Sequence, residues 1–120
     1  MKILSLEEYM LLSPRKRILY RIRQVKFDFP TGKRVEVRIK PYKTLFQNGH
    51  PIYGYCTYSK KRDVFTIYIE QNEDASIMVD ILWHEYAHIL TWDSWQKSSK
   101  HCNKFWTVYG TIYRKYQDEA

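Results

Sequence analysis

The chain has 120 residues, 44% of them hydrophobic and 28% charged, which suits one domain over residues 1–120 with one modest core and argues against a second domain. Its formal charge of +7 is uneven: residues 1–62 hold 15 Lys and Arg against 4 Asp and Glu, and residues 63–120 hold 5 against 9, so a polyanion such as nucleic acid suits the first half, with solubility as the plain alternative. Cys56 and Cys102 are the only cysteines and no CxxC pair exists, which excludes a disulfide framework and a cysteine-based zinc ribbon.

The opening stretch MKILSLEEYMLLSPRKR has an apolar run too short for a membrane span or signal peptide, and Glu7 and Glu8 interrupt it, so the expectation is a soluble, cytoplasmic protein that does not enter a membrane. Within it, SLEE predicts a helix start with Ser5 as cap and Glu8 reaching back as a capping box. SPRKRILYRIRQV restarts the helix, because Ser13 can cap and Pro14 suits the first helical position. Ile18, Ile22 and Val25 fall on one stripe of it, and Lys16, Arg17, Arg21 and Arg23 on the other. RVEVRIK then alternates Val35, Val37 and Ile39 with charged residues, the period of a half-buried strand. PIYGYCTY and DVFTIYIE, joined by SKKRD, read as an antiparallel hairpin. The expected class is α+β: an N-terminal helical segment, a three-stranded, mostly antiparallel sheet, and two closing helices.

The first of those helices spans QNEDASIMVDILWHEYAHILTW, with Asn72 or Asp74 as cap, acidic residues in its first turn and apolar residues on nearly all sides. DSWQKSSK reads as a loop. A last helix from His101 to about Tyr116 places Phe105, Tyr109, Ile112 and Tyr116 at spacings of three and four.

His84 and His88 stand four apart, one helical turn, so both imidazoles can reach one Zn²⁺, while Glu85 is rotated about 100° and can approach a water without being a ligand. This is the HExxH arrangement. The plain alternative is two core histidines bonded to backbone or to Asp80, one turn earlier. A catalytic zinc needs a third protein ligand and an open fourth position. Of the remaining histidines, His50 sits in the turn-like QNGHP, whereas His101 follows His88 at the start of the next helix. Asp93 competes for the third position or serves as a hydrogen-bond partner of a ligand, as Asp80 also can.

HEYAHILTWDSWQKSSKHCNKFW resembles the SprT-like zinc metalloproteases and their Spartan and WLM relatives, over roughly residues 77–109. In these an HExxH helix is followed, after a short loop, by a histidine and then Phe or Phe-Trp, matched here by His84, Glu85, His88, His101, Phe105 and Trp106. Zinc-dependent repressor proteases also use the motif but usually read HExGH, where this chain has Ala87. The resemblance implies a zincin-like fold with one zinc per chain, held by His84, His88 and His101. It also implies Glu85 as the general base, and protein substrates that include DNA-associated proteins. Tyr109 and Tyr113 are candidates to support the oxyanion, with core packing as the alternative. The strand VFTIYIE is a candidate for pairing with an extended substrate, unless it is central. The chain resembles the catalytic core alone, without the cysteine ribbon of many relatives.

A reading of another class is a non-catalytic zinc-stabilised module that binds nucleic acid or a partner, in which Cys102 would close the metal site. On either reading Lys16, Arg17, Arg21 and Arg23, extended by Lys33, Arg34, Arg38 and Lys40, predict weak DNA binding without sequence preference, since no aromatic stacking platform is legible. The oligomeric state leaves no mark in the sequence.

Overall fold

The structure, a computed structural model, describes residues 1–92 and 103–117. Helix α1 (Leu6–Met10) opens on the predicted capping box: Ser5 Oγ accepts the Glu8 N–H at 3.1 Å, and the Glu8 carboxylate accepts the Ser5 N–H at 3.2 Å. Ser13 caps α2 (Pro14–Asp28), with Pro14 in the first turn. Arg17 joins the two helices by donating to the Leu12 and Met10 carbonyls at 3.0 and 2.6 Å.

Strands β1 (Arg34–Lys40), β4 (Gly54–Ser59) and β5 (Val64–Glu70) form the main sheet in the order β1-β5-β4. The β4–β5 hairpin is antiparallel as predicted, with Tyr55 opposite Tyr68, and its four-residue loop ends on Asp63 at φ 53°. The sheet is mixed, however, and not mostly antiparallel, because β1 runs parallel to β5, with Val35 opposite Phe65 and Ile39 opposite Ile69. Chain direction explains the difference. A parallel pair needs a long crossover, and residues 41–63 supply it: β4 carries the chain back, and β5 then runs forward into the slot between β1 and β4.

Within that crossover lies a hairpin that sequence reading assigned in part to the next strand. Strands β2 (Phe46–Gln47) and β3 (His50–Pro51) pair around Asn48 and Gly49, both at positive φ (53° and 78°), the favoured chemistry of a two-residue hairpin turn. β4 therefore starts at Gly54 and not near Pro51.

Central β5 is buried at nearly every position and has no free edge, so it cannot add a substrate strand. Among the described residues the sheet edges are β1 and β4. Lys26 Nζ donates to the Val35 carbonyl at 2.9 Å and so guards β1, whereas GYCTYS of β4 contains no charged residue.

Helices α3 (Ala75–Leu90) and α4 (Asn103–Gln117) complete the core, in which Ile67, Ile69, Leu82, Ala87, Phe105, Ile112 and Tyr116 are fully buried. Asp74 caps α3 by accepting the Ser76 N–H at 2.9 Å; the first turn itself contains no acidic residue, contrary to expectation. The Tyr86 hydroxyl donates to the Phe29 carbonyl at 2.6 Å, and the Tyr116 hydroxyl to Asp28 at 2.9 Å.

Arg21 departs from the expected cationic face. It is buried, donates to Gln24 Oε1 at 2.6 Å, and its guanidinium lies 4.4 Å from the Tyr9 ring and 5.7 Å from those of Tyr20 and Tyr116. A planar, weakly hydrated cation is a charge that aromatic walls accommodate well. Among the described residues no helix is long and apolar enough to cross a membrane.

Two outcomes test this packing. A Cβ added to Gly54 would stand 2.5 Å from the Ile81 side chain and 2.8 Å from the Tyr68 carbonyl oxygen, so Gly54→Ala should destabilise by about 1–3 kcal/mol in chemical denaturation; a loss near zero would mean that α3 and β4 are less closely apposed. Three exposed carboxyls are held below their ordinary pKa: Glu8 by its hydrogen bonds with Ser5, Asp63 by the Tyr58 hydroxyl and then Lys33, and Asp74 by Ser76. A lowered folded pKa means stability present above the ordinary carboxylate range and lost as pH falls through the lowered values. Thermal midpoints should accordingly drop below about pH 4, and Asp63→Asn should flatten that decline.

Candidate metal centre

Helix α3 packs against α2, α4, β4 and β5. Thr91 closes it, its N–H and its hydroxyl both donating to the Ala87 carbonyl, at 3.1 and 2.8 Å. On its last two turns His84, Glu85 and His88 bring one ligand atom each to within 4.8 Å of one another. Ligand atoms about 2.1 Å from one tetrahedral ion lie about 3.4 Å apart, a spacing that small side-chain rotations reach from here. The three donors thus stand close to coordinating distance, and the group can hold a metal ion.

The surroundings suit a cation. Glu85 and His88 are buried, at 8% and 6% exposure, and His84 is half-buried. Imidazole and carboxylate together are the donor set of a borderline-soft divalent ion, and the carboxylate offsets its charge in a weakly solvated place. Glu85 is near enough to both imidazoles either to coordinate or to accept a proton beside them.

One wall comes from α4. The Phe105 ring stacks on His88 at 4.3 Å between centroids and meets His84 edge-on at 5.1 Å. The Tyr109 ring stands edge-on to His84 at 5.7 Å. The helical stripe predicted for Phe105, Tyr109, Ile112 and Tyr116 is thus the stripe that faces the core, and its first two members reach the histidines.

Asp80 is exposed and accepts a hydrogen bond from the Tyr109 hydroxyl. Burial first, and the Asp80 hydrogen bond second, push the Tyr109 phenol well above its ordinary pKa, so it keeps its proton at neutral pH. Tyr113 stands one step further away, stacked on Tyr109 at 6.3 Å and edge-on to Trp83 at 5.6 Å. His101 and Asp93, the two candidates for a third ligand, lie outside the described residues, as do Trp95 and Cys102. His50 is exposed on β3, as the sequence suggested.

Of the expected nucleic-acid contacts, Lys16 and Arg23 are exposed, Arg17 is bonded to the α1–α2 junction, and Arg21 is buried. Lys33 pairs with Asp63 at 2.9 Å, and Arg34 and Arg38 pair with Glu36. Sequence reading missed the Asp80–Tyr109 bond and the stacking of Phe105 on His88. Their only sequence signal was helical spacing, which gives faces but not partners.

No protein-family model matches the chain, and no curated protein matches it either.

Metal binding is open to a direct test. Divalent metal at about 100 times its dissociation constant should stabilise the metal-free protein by about 2.7 kcal/mol through mass action, and His88→Ala should remove the effect. A thermal midpoint indifferent to metal, or a His88→Ala variant that responds like the parent, would contradict the centre.

Proposed function

We propose that the chain is a zinc-dependent metallopeptidase of zincin type, similar to SprT-like proteases, that hydrolyses peptide bonds in protein substrates. The observation that carries this reading is the convergence of the Glu85 carboxylate with the His84 and His88 imidazoles on one turn of a helix beside a sheet edge. His84 and His88 would hold the ion, with His101 as the third ligand that the resemblance implies. When bound, zinc supplies Lewis acidity, which lowers the pKa of a water towards about 7 and polarises a carbonyl.

The chain's own residues do the rest. Glu85 takes a proton from the attacking water and returns it to the leaving amine nitrogen, the role of a positioned general base that becomes a general acid. Its burial keeps bulk water from competing for that proton. Tyr109, rather than Tyr113, is the phenol beside His84; it keeps its proton and can donate to a developing oxyanion once its bond to Asp80 is exchanged.

An extended substrate pairs along a free strand edge. With β5 central, β4 is the edge that packs beside α3 and carries no guarding charge, so β4 takes the place first considered for β5.

Glu85→Gln separates hydrolysis from metal binding. It should lower kcat on an unfolded protein substrate by at least about 10²-fold while elemental analysis still finds one zinc per chain. Full activity in Glu85→Gln, or protein purified without chelator that contains no zinc, would sink the proposal.

A further inference from the structure

The sheet face turned away from α3 carries no part of the metal cluster. Val35, Val37 and Ile39 of β1 pack into the core, so Arg34, Glu36, Arg38 and Lys40 alternate to the opposite side. The register continues these rows across the sheet: Arg38 lies opposite Tyr68 and Tyr68 opposite Tyr55, while Glu36 lies opposite Thr66 and Thr66 opposite Thr57. The Tyr55 and Tyr68 rings stack with centroids 4.6 Å apart and planes 20° from parallel, and Lys40 Nζ stands 5.7 Å from the Tyr68 ring centroid. Tyr53, whose carbonyl accepts the Glu70 N–H at 2.8 Å, extends the ladder beyond β4 and is 66% exposed.

At the other end of this face the guanidiniums of Arg34, Arg38 and Arg62 reach the same Glu36 carboxylate, at 3.0, 3.5 and 3.3 Å. Among the described residues one carboxylate is shared by three cations, so the cluster itself keeps an excess of two positive charges. Exposed ion pairs add little stability. What the shared carboxylate does provide is fixed positioning of three planar donors, which reduces the ordering needed when an anion binds.

We infer that this face binds single-stranded polynucleotide, with phosphates at the Arg34–Arg38–Arg62 cluster and bases stacked on Tyr53 and Tyr55. Cations in a row beside aromatic rings form the two-part surface that single strands use, because their base faces are free to stack. A duplex hides those faces inside its own stack. The sequence alone showed the charges but not the platform, because Tyr55 and Tyr68 meet only through strand pairing. The α2 stripe is the weaker candidate: of its four expected cations Arg21 is buried and Arg17 is engaged with carbonyls. The surface lies across the sheet from α3, so its test requires no peptidase activity.

The experiment is fluorescence anisotropy with labelled oligothymidylate and oligouridylate of about 16 nucleotides, against a duplex of equal length. Both single strands should bind more tightly than the duplex, and a preference between them identifies DNA or RNA as the source of the strand. Tyr53→Ala, which removes an exposed ring, should weaken binding roughly 5- to 150-fold and leave the salt dependence unchanged. Arg34→Gln and Arg62→Gln should each lower the slope of log affinity against log salt by about 0.7. Tighter binding of the duplex, or unchanged affinity in Tyr53→Ala, would overturn the inference. Polyglutamate that competes as well as oligothymidylate would overturn it too, and would assign the face to an acidic protein.

Discussion

Two imidazoles and a carboxylate on a helix that is otherwise the centre of a hydrophobic core constrain everything packed around them. Such groups are costly to bury without compensating partners, so the neighbours of α3 must be apolar where they support the helix and chemically tolerant where they meet His84, Glu85 and His88. The chain meets both demands with aromatic rings. Phe105 covers His88 with a ring face, while Trp83, on another side of the same helix, stacks on Tyr116 at 5.5 Å. Ala87, fully buried between the polar residues, adds no bulk there.

The sheet sets the second boundary of the site. Gly54 lets α3 lie against β4 at a distance no side chain at that position would permit. The mixed topology follows the same logic, since β5 inserted between β1 and β4 gives α3 the apolar row Phe65, Ile67 and Ile69 to rest on and leaves β4 at the edge among the described residues. One sheet thereby divides the molecule: its covered face builds the metal centre, and its other face collects arginines and tyrosines. The two faces share strands but no side chains, because successive residues of a strand point to opposite sides.

Local signals were legible in the sequence wherever the controlling interaction spans a few residues. The Ser5–Glu8 box, the Ser13 cap and Pro14, the alternation of Val35, Val37 and Ile39, the β4–β5 hairpin and the HExxH turn all depend on neighbours within about five positions. The turn at Asn48-Gly49 is equally local and legible in QNGHP, but the short strands it joins are not, because the run PIYGYCTY after it reads as one strand. What stayed hidden depends on distant pairs. The direction of β1 against β5 is decided by the whole crossover, the Asp80–Tyr109 bond joins residues of two helices, and the burial of Arg21 requires rings from α1, α2 and α4. A periodic stripe marks Arg21 as polar but cannot reveal that aromatic rings enclose it.

That arginine links α1 to α4. Tyr9 and Tyr116 approach the same guanidinium, and Tyr116 lies on the helix whose other end presents Phe105 to the histidines. The donor residues of α3 therefore emerge during synthesis before the ring that covers them, and the contacts that seat that ring bring together residues more than a hundred positions apart. Closing such a span early is entropically unfavourable. Covering of the metal site by Phe105 is thus tied to the docking of α4 against α1 and α2, far from the histidines themselves.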